Sequence, residues 1–464
     1  MSEAMERIRA TVERHSARML DLKYTDLLGR LRHVTLPVSA LGEELLERGV
    51  GVDGSSLAGV RGVESSDLRV VPDPATVVVD PFWAEPTLSL MGELVEASSD
   101  TPFPLDPRGV ARRAEAYLVG LGVADRALFS PEPEFYVFDG VEFGRDQRGA
   151  YYRILEEPRA DGYRAAPGGG YHLGPPADGL GDLRSEVALT LESMGLPVKY
   201  HHSENGTPGQ SEIEVNFHPL LQAADALVLM KYVVKSVARR RGKTATFMPK
   251  PIPGQAGSGM HVHQKLFAGE RPVFFDPQGY AGLSREALSY LGGLLRKSRP
   301  LCALVAPSAN SYRRLVPGYE APVSLAFSLG NRSTSVRIPA YAVRPQDKRI
   351  EYRPPDASSN PYLALSAMLM AGLWGIREGI DPVKEGFGPF DLNVYELETG
   401  RRPQSLPASL EEALSALESD HEFLLEGGVF TRELVQAWVA LKTAELRGVA
   451  DQPHPADFVT TYDC

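Results

Sequence analysis

The chain has 464 residues, of which 43% are hydrophobic and 23% are charged, a balance typical of a folded globular protein. This length exceeds what a single hydrophobic core usually covers, and it predicts two domains. With 49 basic and 60 acidic side chains, the formal net charge of −11 argues against broad binding to nucleic acid or to an anionic membrane. Two cysteines, Cys302 and Cys464, are too few for a disulfide framework, so we expect a reducing compartment.

The opening residues have neither the apolar core of a secretory signal nor the acid-poor composition of a transit peptide. The most apolar run, residues 363–376, fits a buried helix better than a membrane span, which needs about 20 residues. We therefore expect a cytoplasmic protein that does not bind membranes.

The pattern of the first hundred residues predicts short strands and helices. Residues 19–37 alternate in runs broken by glycine and proline, as a β-hairpin does, and the helical run after them ends at Gly49. Strand-like runs follow at residues 77–79 and 88–95. A proline-rich stretch then precedes the helical pattern GVARRAEAYLVGLG, which places a boundary at about residue 107 and predicts domains 1–107 and 108–464.

The second domain mixes predicted strands with long helices. Strand patterns occupy residues 129–139, 211–218, 259–267, 333–339 and 349–355, and helical patterns occupy residues 182–195, 223–242 and 360–379. These elements do not alternate in strict βαβ order, so the sequence predicts an α+β fold rather than a doubly wound parallel sheet.

Two glycine patterns do not predict a known nucleotide-binding loop. Gly49, Gly51 and Gly54 have the spacing of a dinucleotide fingerprint, but a helical segment precedes them where that fingerprint needs a strand. The GKT at residues 242–244 lacks the first glycine of a Walker A loop, because Val237 stands there. Any ATP must therefore bind through a different architecture.

Functional side chains recur at a spacing of two within the predicted strands, where residues i and i+2 share one face. The pairs are Glu132 and Glu134, Glu212 and Glu214, His261 and His263, and Glu351 and Arg353. A solvated strand face is the alternative for any single pair, but repeated like charges on one face repel unless something neutralises them. Carboxylates with one or two imidazoles are the ligands of Mg²⁺ or Mn²⁺, so the pattern predicts divalent metals.

Arginines cluster late in this acidic chain, and such a cluster predicts an anionic ligand held by bidentate guanidinium contacts. They are Arg313, Arg314, Arg332, Arg337, Arg349 and Arg353. Metals and arginines around a phosphate suit phosphoryl transfer, because they stabilise charge spread over several oxygens.

Motifs along essentially the whole chain resemble those of a known protein family. They include DGSSLAG, DPFWAEPTLSL, SPEPEFYVFD, GKTATFMPKP, GSGMHVH, NSYRRLVPGYEAP, NRSTSVRIP and RIEYRPPDASSNPYLALSAMLMAG. In this order they resemble the bacterial type I glutamine synthetase family. The resemblance implies a small β-grasp-like N-terminal domain and a catalytic domain with a curved antiparallel sheet surrounded by helices. It also implies a dodecamer of two stacked hexameric rings, with each active site between neighbouring subunits.

The resemblance also implies roles for individual residues, carried over by position. One metal would be held by Glu134, Glu204 and Glu212, and a second by Glu132, His261 and Glu351, which leaves Glu214 as a structural strand residue. ATP would contact His263, Arg337 and Arg349, and glutamate would contact Gly257, Arg314 and Arg353. Arg332 would steady the transferred phosphoryl group, Asp53 would take a proton from ammonium, Glu320 would close the site, and Tyr395 would be a possible adenylylation site.

The implied activity is ATP-dependent formation of glutamine from glutamate and ammonia through a γ-glutamyl phosphate. Some positions depart from the family pattern, namely Gln255 and Ala256 before GSGMH, Lys199 where a glutamate is expected near the nucleotide, Gln346, and Val60. Because the first two lie at the amino-acid pocket, a γ-glutamyl–amine ligase that takes a primary amine remains an alternative. A third hypothesis is a catalytically silent regulatory homologue. The presence of all six implied metal ligands argues against it.

Overall fold

The computed structural model describes residues 3–59, 62, 66–156, 162–163, 165–207, 209–317, 321–452, 454–455 and 457. Among the described helices, none is both long enough and apolar enough to cross a membrane. The placement of the protein in the cytoplasm stays a prediction.

The N-terminal part is a mixed sheet next to helix α1 (Glu3–His15) and helix α2 (Glu43–Arg48). Its strands are β1 (Met19–Thr25), β2 (Leu31–Pro37), β3 (Val50–Asp53), β4 (Asp67–Pro72), β5 (Val78–Asp80) and β6 (Thr87–Glu96). They are ordered β2-β1-β6-β4-β3, with β5 also on β6, and β1 runs parallel to β6. Strands β1 and β2 form the predicted hairpin, and helix α2 ends at Gly49, whose φ of 68° favours glycine.

The larger part is built on a second sheet, in the order β10-β11-β7-β14-β18-β17-β16. Its strands are β7 (Arg126–Phe138), β10 (Val198–Ser203), β11 (Gln210–Val215), β12 (His218–Pro219), β13 (Thr244–Thr246), β14 (Met260–Ala268), β15 (Arg271–Pro272), β16 (Ser324–Leu329), β17 (Thr334–Ile338) and β18 (Ile350–Tyr352), while β8 (Gly140–Arg145) and β9 (Ala150–Leu155) form a separate hairpin. The pairings in this sheet are antiparallel except that of β16 with β17, which is parallel. The α+β fold class is confirmed.

Helices surround this sheet and fill the space beside it. They are α3 (Pro107–Leu121), α4 (Gly181–Ser193), α5 (Leu220–Arg240), α6 (Arg285–Arg296), α7 (Ser298–Val305), α8 (Ser311–Arg314), α9 (Pro361–Glu378), α10 (Leu410–Ser419), α11 (Glu422–Leu425) and α12 (Arg432–Ala450). Helix α9 begins at the N-cap Asn360, ends at Gly379, and is buried along almost its whole length. It contains the most apolar run of the chain, so the prediction of a buried helix there is confirmed.

A buried arginine next to the predicted domain boundary joins the N-terminal sheet to the helices of the larger part. Arg108, 2% exposed at the start of α3, donates two hydrogen bonds to Asp225 of α5 at 3.0 and 2.9 Å. The same guanidinium donates to Glu93 of β6 at 2.6 Å and to Asp73 after β4 at 2.8 Å. Tyr362 of α9 donates to Asp225 at 2.6 Å, so one cation fixes the N-terminal sheet against the helices behind the second sheet. The exact boundary near residue 107 stays a prediction.

Replacing this cation should destabilise the fold. We expect Arg108→Met to lower the free energy of unfolding by about 3–5 kcal/mol, because it leaves buried carboxylates without a counter-charge. Arg112→Met is the matched control, since Arg112 binds the same Glu93 and Asp73 from a side chain that is 53% exposed. The control should change stability by about 1 kcal/mol or less. Chemical denaturation of both variants checks the difference, and equal losses would contradict the role of Arg108.

Candidate active site

The register of the second sheet gathers the paired side chains on one face. Across β7 and β14, Glu132 lies opposite His261, and across β7 and β11, Glu134 lies opposite Glu212. Across β14 and β18, His263 lies opposite Glu351. Directly opposite residues in an antiparallel pair point to the same side, so the predicted pairs from four strands converge.

The first cluster contains Glu132, His261 and Glu351, whose possible ligand atoms all lie within 4.8 Å of one another. His261 Nδ1 is 4.0 Å from Glu132 Oε2 and 3.8 Å from Glu351 Oε1. Burial, reinforced by the charge of Arg353, lowers the pKa of His261 well below its usual value. The imidazole is therefore neutral at pH 7 and offers a lone pair, so this donor set fits a divalent cation.

Two arginines flank Glu351 in this cluster. Arg353 Nη1 donates to Glu351 Oε1 at 2.6 Å, and Arg337 of β17 donates to Glu351 Oε2. Burial raises the pKa of Glu351, but the charged guanidinium groups of Arg353 and Arg337 outweigh it and hold the pKa below its usual value. Glu351 thus remains a carboxylate although it is 2% exposed.

A second cluster lies on β10 and β11. His202 lies opposite Glu212, with Nε2 3.4 Å from Glu212 Oε1, while its Nδ1 is 3.6 Å from Glu204 Oε1. The structure therefore brings Glu204 and Glu212 together, as expected, but with a histidine between them that the sequence did not predict. The sequence HHSE could have indicated this histidine, because His202 and Glu204 are two residues apart and therefore lie on one side of an extended chain.

Glu134 lies beside this second cluster rather than in it. Its Oε2 accepts hydrogen bonds from Gln210 Nε2 at 3.0 Å and from the Gly259 amide at 2.9 Å. Burial and the charge of Glu204 raise the pKa of Glu134 to about 8. Burial and neighbouring carboxylates likewise raise the pKa of Glu212 well above its usual value. A bound cation would relieve this repulsion, so these residues also fit a divalent metal.

Arg314 is held behind the clusters by main-chain carbonyls. Its guanidinium donates to the carbonyls of Pro354, Pro355 and Arg353 at 2.8, 3.2 and 3.1 Å. Gly259 leaves the space that Arg314 occupies, because a Cβ there would lie 2.5 Å from Nη2 of the arginine and 3.2 Å from Nε2 of His261. Gly257 makes similar room, since its Cβ would lie 2.8 Å from Arg314 Cγ.

The residues predicted to contact ATP lie on the His263 side of the face. His263 is 1% exposed, and its Nε2 is 2.6 Å from Glu132 Oε1. Arg349 is buried, its Nη1 donates to the Asp347 carbonyl at 3.1 Å, and its guanidinium lies 5.3 Å from the Tyr341 ring. Arg332, in contrast, is exposed.

Asp53 and Tyr395 lie apart from the clusters. Asp53 ends β3 in the N-terminal sheet and accepts hydrogen bonds from Ser55 and Ser56, which lower its pKa to about 2. Tyr395 is partly buried and donates its hydroxyl to the Ala321 carbonyl, so a modification there would have to break this bond. Glu320 lies outside the described residues. Adenylylation of Tyr395 stays a prediction.

Three of the departures from the family pattern, Gln255, Ala256 and Lys199, have definite contacts, while Val60 lies outside the described residues. Gln255 Oε1 accepts a hydrogen bond from the Thr207 amide at 3.1 Å, and the Ala256 carbonyl accepts one from the Tyr136 hydroxyl at 2.7 Å. Lys199 donates from Nζ to Glu214 Oε1 at 2.5 Å. Glu214 is fully buried on the same face as Glu212, as their spacing of two predicted, and its interpretation as a structural strand residue stays a prediction.

Comparison with known proteins covers the whole chain. The family model "Glutamine synthetase, beta-Grasp domain" matches residues 16–97, and "Glutamine synthetase, catalytic domain" matches residues 104–461. Glutamine synthetase of Streptomyces coelicolor is 44% identical, with 100% of both chains covered. A protein named 3-hydroxylaminophenol mutase, from Cupriavidus pinatubonensis, is 43% identical over the same coverage. The structure of Plasmodium falciparum glutamine synthetase shares the fold with a TM-score of 0.90 at 24% identity, covering 100% of this chain and 99% of that one.

The close packing at Gly259 gives a test of the site. We expect Gly259→Ala to displace Arg314 and His261 and to weaken Mn²⁺ binding by about tenfold or more, since loss of supporting contacts typically costs this much. Gly120→Ala is the control, because a Cβ at this exposed position in α3 meets nothing within 4 Å. Isothermal titration with Mn²⁺ measures both variants. An unchanged affinity in Gly259→Ala would contradict the packing argument.

Proposed function

Because the chain belongs to the glutamine synthetase family, we propose that it is an ATP-dependent glutamate–ammonia ligase that forms glutamine. The observation that carries this proposal is the buried cluster of Glu132, His261 and Glu351 on a sheet face flanked by Arg337 and Arg353. Metal ligands next to fixed guanidinium groups suit the transfer of a phosphoryl group to a carboxylate. Such a transfer is needed because a free carboxylate is a poor electrophile, and phosphorylation gives it a leaving group.

We propose two divalent cations, Mg²⁺ or Mn²⁺, in each site. Glu132, His261 and Glu351 would hold one, and Glu134, Glu204 and Glu212 would hold the other, with His202 next to the second pair of carboxylates. When bound, the cations supply positive charge to the reacting oxygens. The protein's own contribution is a rigid, buried set of ligands, in which a neutral His261 and an ionised Glu351 are ready to bind.

The arginines divide between the two substrates in this proposal. Arg314 and Arg353, with the main chain at Gly257, would bind the carboxylates of glutamate. His263, Arg337 and Arg349 would bind the phosphates of ATP, and Arg332 would steady the group in transfer. For the buried residues Arg314, Arg337, Arg349 and Arg353, support comes from burial, because guanidinium groups already fixed by hydrogen bonds lose little conformational entropy when an anion binds.

Asp53 and Glu320 would complete the site. A carboxyl with a pKa of about 2 is ionised at every pH where the enzyme would work, so Asp53 is suited to holding an ammonium cation. Its weak basicity makes it a poor acceptor of the ammonium proton by itself. Glu320 would close over the acyl phosphate and exclude water, which would otherwise hydrolyse it.

We further propose that the chain assembles as a dodecamer of two hexameric rings and acts in the cytoplasm. The family membership supports the assembly, and the place of Asp53 in the N-terminal sheet supports a site shared between neighbouring subunits. Ammonia is preferred over a primary amine, because relatives at 44% identity are named glutamine synthetase. The presence of all six proposed metal ligands argues against a silent homologue.

The activity test is phosphate release from ATP with glutamate and ammonium. We expect release with this pair and not with glutamate plus a panel of primary amines at the same concentration. His261→Ala should lower the rate by about 100-fold or more, as loss of a group that stabilises charge in a transition state does. His15→Ala, at an exposed position in α1, is the control.

The results of this assay distinguish the three candidate functions. Release that needs an amine would replace the leading proposal by a γ-glutamyl–amine ligase. No release with any acceptor would favour the silent homologue. A His261→Ala variant that kept more than about a tenth of the rate would contradict a metal-binding role for this residue.

A mixing experiment tests the shared site. Asp53→Ala and His261→Ala should each be inactive, and after dissociation, mixing and reassembly about a quarter of intersubunit sites should contain both intact residues. His261 is chosen over Glu351 because loss of Glu351 would leave Arg337 and Arg353 unpaired. A mixture no more active than its parents, with mixed oligomers verified by mass, would rule out the shared site.

A further inference from the structure

Gln210 is a buried amide at the start of β11 whose side chain contacts two parts of the proposed active site. The residue is 2% exposed. Its Nε2 donates hydrogen bonds to Glu134 Oε2 at 3.0 Å and to the Gly257 carbonyl at 3.1 Å. Its Oε1 accepts a hydrogen bond from the Gly206 amide at 2.6 Å. Gln210 therefore joins a proposed metal ligand to the main chain at which glutamate would bind.

These contacts require an amide side chain at position 210. The Nε2 group meets oxygen atoms on each side, namely Glu134 Oε2, the Gly257 carbonyl and, at 3.3 Å, the Ser258 hydroxyl. The Oε1 atom meets an N–H donor instead. A carboxylate in this place would put a second oxygen against that of Glu134, and an aliphatic side chain would leave buried polar groups without partners. The contacts thus account for a glutamine rather than a glutamate or a methionine.

The main chain of Gln210 also fixes the segment that contains Glu204, a proposed ligand of the same metal as Glu134. The Glu204 amide donates to the Gln210 carbonyl at 2.9 Å, and the Gln210 amide donates to the Gly206 carbonyl at 3.1 Å. Gly206 packs tightly here, because a Cβ at this position would overlap the Tyr136 hydroxyl and lie 2.6 Å from Gln210 Oε1. One residue therefore holds parts of both the metal site and the glutamate site.

A second hydrogen bond supports the same main-chain segment from β7. The Tyr136 hydroxyl donates to the Ala256 carbonyl at 2.7 Å. Glu134 Oε2 receives its hydrogen bonds from Gln210 and from the Gly259 amide instead. Gln210 and Tyr136 thus support neighbouring carbonyls of one segment, but Gln210 also binds the carboxylate of Glu134. This difference allows the two roles to be separated by experiment.

We propose that Gln210 is a positioning residue that couples metal binding to glutamate binding. A cation held by Glu134 would fix the carboxylate, which in turn orients the Gln210 amide and the Gly257 carbonyl before glutamate arrives. Such preorganisation favours binding, and by linkage each ligand then tightens the other by the same factor. The inference rests on the proposed function, which takes Glu134 as a metal ligand and Gly257 as a glutamate contact. Because the Gly259 amide also donates to Glu134 Oε2, Gln210 accounts for part of the coupling.

Calorimetric titration with glutamate measures this coupling without turnover. The assembled protein is titrated in the absence of nucleotide, once free of metal and once with saturating Mn²⁺, and the ratio of the two Kd values is the coupling factor. For the unaltered protein we expect a factor of about five or more, as is typical of coupled sites. Gln210→Met keeps the approximate size of the side chain but removes the amide, and it should lower the factor by about threefold or more.

Tyr136→Phe is the matched control, because it removes the hydrogen bond to the Ala256 carbonyl without changing a contact of Glu134. It should weaken glutamate binding equally with and without Mn²⁺ and leave the coupling factor unchanged. Gln210→Asn keeps an amide that is one carbon too short to reach Glu134 and Gly257 together, so its coupling factor should fall as in Gln210→Met. Near-ultraviolet circular dichroism verifies the fold of each variant, and Gln210→Asn decides the question if Gln210→Met does not fold.

The results distinguish a failure of this inference from a failure of the proposed function. A coupling factor that is unchanged in the Gln210 variants, or that falls as far in Tyr136→Phe, would make Gln210 a structural residue only and overturn the inference. Equal glutamate affinities with and without Mn²⁺ in the unaltered protein would also overturn it, while leaving the proposed ligase in place. No binding of glutamate to the unaltered protein in saturating Mn²⁺ would count against the proposed function itself.

Discussion

Buried like charge on one face of the central sheet is the constraint on which the rest of the site depends. Glu132, Glu134, Glu212, Glu214 and Glu351 are each at most 8% exposed, and four of them come from the neighbouring strands β7 and β11. Carboxylates at such separations repel strongly in a poorly hydrated interior. Arginine side chains, amide hydrogen-bond donors and closely packed glycines surround these carboxylates.

The carboxylates at the two ends of this sheet face are stabilised in different ways. At one end, Arg337 and Arg353 neutralise Glu351, whose pKa lies below its usual value. At the other end, Glu134 is supported by the Gln210 amide and the Gly259 main chain, which donate hydrogen bonds but carry no full charge. Burial and the charge of Glu204 raise its pKa to about 8. The electrostatics therefore change most on metal binding at the end of Glu134 and Glu212.

A rigid support keeps the repelling groups in place. Arg314 is fixed by three carbonyl groups and packs against Gly257 and Gly259, so the strand that bears His261 cannot move away freely. Behind the sheet, Arg108 and Asp225 join the N-terminal sheet to the helices that cover it. Hydrogen-bonded burial of this kind gives a preorganised site, which needs little rearrangement when charged ligands arrive.

The sequence by itself determined the α+β fold class, the buried helix α9 and the strands that carry the paired residues, because these depend on local periodicity. A spacing of two put Glu132 with Glu134 and His261 with His263 on common faces, and the motifs indicated the family. Which strands lie side by side depends on contacts between distant parts of the chain. Only the tertiary structure therefore placed His202 between Glu204 and Glu212, and Glu214 against Glu132 and His263. The same holds for Arg108, since a single arginine in a sequence does not reveal that two carboxylates of the N-terminal part and one of helix α5 converge on it.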